Sequence, residues 1–318
     1  MPIGLLTGVG SGLASALLFY SATRGSPFLS SVLLLLTPLP SLIAGFGWGW
    51  LSALIGGVAA AAAMLLIASL PFAIGYFLVL GGPSALSAYL AYLNRADPAG
   101  SGAIQWYPPG RLLAALSLYG GALPILVLPL IGGSYEGLRE PMGDYFRSFS
   151  ARTASDLNMP PLSEAQIESV TEFLLAVLPA ALSAYWLSIF AINLYLAGRI
   201  ARASDRLGRD WPDLAALAYP TGFPLLAVAA FAASFAPGLL GVVGTSFSGA
   251  LLVAYLMAGL ALMHFLARGR ARWLLWLVYG ALLLLGPYAA LALTLAGLVE
   301  PVINLKRRLG APPPTPPT

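Results

Sequence analysis

The sequence predicts an all-α protein, a polytopic bundle of about ten transmembrane helices, with nine or eight spans as alternative counts. Three observations carry that prediction. The chain is 59% apolar and only 9% charged, against about 45–50% and about 25% in soluble domains, so its apolar excess must face lipid. The apolar residues gather in stretches close to the roughly 20 residues that cross a ~30 Å hydrocarbon core. No polar segment of the 318 residues is long enough to make a separate soluble domain. The expected organisation is one integral membrane domain over residues 1–308, with an external loop at 133–167 and a disordered Pro-rich tail at 309–318.

The first span, near 3–22, starts "MPIGLLTGVG" without a basic flank, which predicts a retained helix and not a cleaved signal. Gly4, Gly8, Gly12 and Ala16 recur every four residues and line one face. Small residues let another backbone approach, and helix association in lipid depends on such close packing. The face is therefore expected to be a helix contact, made either inside the protein or with a partner subunit. Further spans fall near 27–46, 50–69 and 71–93, and "GGVAAAAA" at 56–63 is a second smooth surface. The turns "RGSP" and "GFGWGW" are short, and their tryptophans suit the headgroup boundary.

Spans near 111–132 and 168–198 flank the external loop. From Ser134 to Glu168 that loop holds six acids and three arginines. Pro141 is placed to open a short helix, and Ser163 with Gln166 spells a capping box for the next one. The loop reads as a solvated linker or as a binding lid. Spans near 214–236 and 239–267 follow. Residues 268–305 would make a single helix about 57 Å long, nearly twice the hydrocarbon core. Gly286–Pro287 sits in its middle, so two short spans are expected there, with one kinked span as the alternative.

Ten spans with the amino terminus inside place 12 of the 16 basic residues on the cytoplasmic side, whereas nine spans divide them 9 to 7. The positive-inside rule therefore favours ten spans with both termini cytoplasmic. The net charge of +4 reports topology and does not point to nucleic acid.

Chemistry-bearing motifs are few. The chain has no cysteine and one histidine, so no usual zinc ligand set is expected. It has no phosphate-cradling G-x-x-x-x-G-K-[ST] motif, and its one lysine, Lys306, sits in a terminal basic cluster. No metal or cofactor is expected, and an enzyme is not the favoured reading. The polar candidates are Tyr185 and Asn193 in "AYWLSIFAINLYLAGRI", His264 one turn before Arg268, and Glu300 and Asn304 in "GLVEPVINLKRR". Polar groups at membrane depth are functional candidates by default. For His264 and Glu300, near helix ends, a structural pairing is the competing reading.

The order "GLALMH" (Gly259–His264), a basic turn, an apolar pair and "GLVEPVINLKRR" (Gly297–Arg308) resembles the YybS-like predicted bacterial membrane proteins. "SPFLSSVLLLLTPLPSLIAGFGWG" (Ser26–Gly49) and "WLSIFAINLYLAGR" (Trp186–Arg199) look like the proteobacterial branch of that family. Its ending carries two acids; Glu300 stands for the first and Asn304 replaces the second. The resemblance implies a bacterial inner-membrane location. It also implies a fold related to the substrate-binding components of energy-coupling-factor vitamin transporters, which dock on a partner through small residues of the first helix. The expected function is thus a non-enzymatic small-molecule or lipid-like ligand binder of transport type. A structural or assembly protein acting through helix contacts is the alternative.

Overall fold

The computed structural model describes residues 2–96, 104–131, 133, 136–268, 272–303 and 305–310. Among them, seven helical stretches are long and apolar enough to cross a membrane: Ile3–Ala22, Pro27–Trp48, Trp50–Ile67, Leu70–Tyr92, Pro109–Leu130, Glu164–Ala203 and Gly238–Leu266. Three shorter apolar helices, Phe223–Ala233, Trp273–Leu285 and Pro287–Ile303, accompany them.

Helix α1 (Pro2–Ala22) lies along α4 (Trp50–Ile67). The face of Gly4, Gly8, Gly12 and Ala16 makes that contact. A Cβ at Gly8 would come within 2.8 Å of Ser52 O, and one at Gly12 would overlap the Gly56 backbone. The surface that the resemblance assigns to a partner subunit is therefore filled by α4 of the same chain. A partner approaching α1 would meet its other side, where Leu6 and Leu17 are exposed. On α4 the next glycine continues the pattern, since a Cβ at Gly57 would meet the Gly81 backbone at 2.8 Å. "GGVAAAAA" thus lets α4 sit between α1 and the stretch around Gly81.

Prolines interrupt two of the spans. The second divides into α2 (Pro27–Leu36) and α3 (Leu39–Trp48) at Thr37–Pro38. The fourth runs as α5 (Leu70–Tyr76), a π-helical turn over Phe77–Gly81, and α6 (Gly82–Tyr92). After α6 a short hairpin, β1 (Asn94–Ala96) antiparallel to β2 (Ile104–Trp106), leads into α7 (Pro109–Val127); nothing in the apolar pattern marks it.

The stretch expected to be external contains α8 (Arg139–Leu157), ended by Asn158 in the left-handed conformation. It packs on α9 (Glu164–Ala203), whose capping box at Ser163 and Gln166 is present. Arg139 pairs with Glu172 at 3.0 Å, and Arg147 with Glu164 at 3.0 Å. Each pairing moves by eight residues in opposite directions, so α8 and α9 run antiparallel. These ion pairs brace α8 against α9. At 40 residues α9 is about 60 Å long, twice the hydrocarbon thickness.

The segment expected to span at 214–236 is shorter. Pro220 and a left-handed Gly222 (φ 89°) delay the helix, and only α10 (Phe223–Ala233) forms. Helix α11 (Gly238–Leu266) then crosses the centre of the bundle beside α7, α9 and α10. α12 (Arg272–Leu285) and α13 (Pro287–Ile303) separate at Gly286 (φ 49°), where the sequence places a break, and α14 (Leu305–Gly310) follows. The core lies where α3, α7, α9 and α11 meet, around Leu42, Leu116, Leu187, Phe190, Leu251 and Tyr255.

The α1–α4 contact yields a paired prediction. Gly12→Leu inserts a side chain where backbones touch, at a cost of about 1–3 kcal/mol or more, and should give aggregated or degraded protein. Gly10→Leu, where an added Cβ meets nothing within 4 Å, should give a monodisperse peak in size-exclusion chromatography.

Candidate functional site

A proline inside a span leaves backbone carbonyls without donors, and hydrocarbon supplies none. In this bundle those carbonyls turn toward α9 and its neighbours. Pro83 has no N–H to give Val79 O, and Gly82 N–H reaches back to Phe77 O, so Leu78 O is bypassed as well. Trp186 Nε1 donates to Val79 O at 2.7 Å, and the Tyr119 hydroxyl donates to Leu78 O at 2.7 Å. The two rings stack with centroids 5.7 Å apart, and Phe190 stacks on Trp186 at 4.8 Å. The π-helical turn is thereby held by an aromatic column.

Two turns along α9, Asn193 meets the other interruption. It is fully buried, and its Nδ2 donates to Leu35 O at 2.6 Å, at the end of α2, and to Ile189 O at 2.8 Å. Its Oδ1 is buried and has no hydrogen-bond partner among the described residues. One turn before Trp186, Ser183 lies 2.9 Å from Ser246 of α11, which donates to Gly121 O at 2.7 Å, three residues before Pro124 of α7. Ser183, Trp186, Phe190 and Asn193 fall at spacings of three and four, on the inner face of α9. Tyr185 lies off that face and is 57% exposed. Asn193 was legible as a polar residue inside an apolar run. For Trp186 and Ser183 the sequence offers one signal, their helical spacing from Asn193.

The remaining candidates sit at the far end. His264 Nε2 is 2.8 Å from the Tyr279 hydroxyl, so it ties α11 to α12. Glu300 Oε1 accepts from Lys306 N–H at 3.3 Å, an end contact between α13 and α14. Asn304 lies outside the described residues. His264, Glu300 and Asn193 each make a hydrogen bond to a different partner. Among the described residues no group of three or more His, Asp or Glu is placed to hold a metal ion.

What gathers at this end is a strap, residues 204–222, between α9 and α10. Gly208 N–H donates to the Tyr92 hydroxyl at 3.1 Å, and Arg209 Nη1 donates to Ala91 O at 2.6 Å. Asp213 pairs with Arg268, whose guanidinium holds the carboxyl below its usual range. Lys306 Nζ donates to Leu217 O at 2.7 Å, and burial pushes its ammonium pKa down. The Tyr219 hydroxyl donates to Ala254 O at 2.8 Å. Two clefts of about 520 and 300 Å³ open along the strap, around Trp106 and Trp211. They lie at the opposite end of α9 from α8, not beside the acidic stretch that carries α8.

The column predicts its own sensitivity. Trp186→Phe keeps the ring and removes the donor to Val79 O, leaving a buried carbonyl unpaired at a cost of about 1–3 kcal/mol. The variant should insert normally and show a lower midpoint in a detergent thermal-stability assay, whereas Tyr185→Phe should match the parent.

The family model described as "Predicted membrane protein (DUF2232)" matches residues 13–300. Neither the curated proteins nor the solved structures contain a match to the chain.

Proposed function

Because the chain belongs to the DUF2232 family of predicted membrane proteins, its lipid-embedded helices are the starting point, and we propose that it is a non-enzymatic bacterial inner-membrane protein that binds a small or lipid-like molecule as a transport-type component. In this reading ten apolar segments cross, with α10, α12 and α13 completing the seven longer stretches. An even count puts both termini on the side that carries 12 of the 16 basic residues. The energy-coupling-factor resemblance points to the same class of function.

The observation that supports the reading is the pinned half-helix α2. It buries no residue, and its carboxyl end is tied to the core through Asn193. Non-helical backbone at membrane depth is tolerated where it is buried in protein or lines a cavity, and transporters place binding sites at such breaks. If α2 swings outward at Thr37–Pro38, it uncovers the Asn193 amide and Leu35 O together. An incoming molecule then needs one acceptor for Nδ2 and one donor for Oδ1. No charged residue occurs in α2 or between Phe173 and Gly198 of α9, so the part of the ligand that enters there is uncharged.

Native mass measurement of the gently purified protein tests this. The parent should carry a small molecule that Asn193→Leu loses while remaining monodisperse. A parent with no added mass, or a variant that keeps the mass, would exclude ligand binding at α2. The topology has a separate test: a periplasm-dependent reporter fused after Thr318 should be silent, and strong activity would restore nine spans.

One observation favours the assembly reading instead. α12 presents Trp276, Leu283 and Leu284 outward, each more than four-fifths exposed, an apolar surface that suits another membrane helix as well as lipid. Co-purifying subunits in the same mass measurement, without a small molecule, would select that function.

A further inference from the structure

We propose that the strap end of the bundle binds the headgroup of an anionic phospholipid, with Arg199, Arg202 and Arg206 holding the phosphate beside Trp211 and Trp48. The proposal is independent of the α2 site and of which side of the membrane the strap occupies. Arg139 and Arg147 at the α8 end pair with Glu172, Glu164 and Asp144, and Arg268 pairs with Asp213. Arg199, Arg202 and Arg206 have no carboxylate within ion-pair distance among the described residues, although Asp205 and Asp210 lie in the same stretch of chain.

Their guanidinium groups lie against indole rings instead. Arg199 and Arg202 are 5.9 and 5.8 Å from the Trp211 ring centre, and Arg206 is 5.5 Å from that of Trp48. A guanidinium against a ring keeps its charge and leaves N–H donors for a second partner. Arg199 uses one of its own on the Tyr195 hydroxyl at 3.4 Å. Two like charges at i and i+3 on one helix, both against a single indole, repel each other. An anion between them removes that repulsion and accepts their hydrogen bonds.

The rings are fixed in place. Trp211 packs on the bare backbone of Gly198, where an added Cβ would lie 3.1 Å from the indole, and the strap carrying it is tied down by Tyr92, Arg209 and Lys306. Trp48 ends α3. Tryptophans where apolar helices end lie at the headgroup level of a bilayer, which selects a lipid phosphate over a soluble one. The cleft of about 300 Å³ beside Trp211 also offers Asp205, Asp210 and the apolar edge of Leu207. Those carboxylates accept hydrogen bonds, so the fitting headgroup carries free hydroxyls beyond its phosphate, as phosphatidylglycerol does.

Native mass spectrometry of the full chain, titrated with phosphatidylglycerol or phosphatidylcholine in detergent, tests the site. The parent should retain phosphatidylglycerol at least tenfold better than phosphatidylcholine. Arg202→Gln with Arg206→Gln should lower that retention by about fivefold per arginine, as expected for arginines facing an anionic membrane surface. Arg139→Gln, at the other end, should leave it unchanged. Equal retention of the two lipids by the parent overturns the proposal without any variant. So does a folded double variant that keeps the parental preference, and so does displacement of the lipid by millimolar inorganic phosphate, which would assign the arginines to a soluble anion.

Discussion

A backbone carbonyl without a donor is tolerable in water and costs several kcal/mol in hydrocarbon. Much of this architecture answers that constraint. Prolines at 38, 40, 83 and 124 break or loosen helices that would otherwise satisfy themselves. The donors that repair the damage are side chains: Asn193 for Leu35 O, Trp186 for Val79 O and Tyr119 for Leu78 O. Two of the three sit on the inner face of α9. α9 is therefore both a packing element and the main repair strip for the interrupted spans.

Glycine solves the complementary problem. Lipid tails are as apolar as leucine, so helices gain by close approach and not by burial from water. Gly12 against Gly56 and Gly57 against Gly81 bring backbones together on two sides of α4. Gly259 and Gly297 do the same where α11 meets α13. α11 does both, since Ser246 donates to Gly121 O and Gly249 brings its backbone against Ala180 of α9.

The class of fold was legible because it follows from composition and run length, which hold whatever the packing. The α1 stripe, the Ser163 capping box and the break at Gly286 were legible because each is a local rule about small, capping or left-handed residues. Other features were not. The stripe had two candidate occupants, an internal helix or a partner, and the position of α4 decides between them. The start of α10 depends on Pro220 and Gly222 acting together, which an apolar average conceals. His264 and Glu300 look alike in the sequence, yet one reaches a tyrosine on the next helix and the other a main-chain N–H. Asn193 was readable as polar and deep, but its partner lies 158 residues away.

The length of α9 has a mechanical consequence. One unbroken rod of about 60 Å carries ion pairs with α8 at its first turns and leads directly into the strap at its last. A tilt imposed on α8 from outside acts on a lever whose far arm bears Arg199 and Arg202. Because Asn193 sits on the same rod, that motion also pulls on the tether of α2. Load applied at one surface therefore reaches the opposite surface along one continuous helix, by way of the turn that holds Pro179.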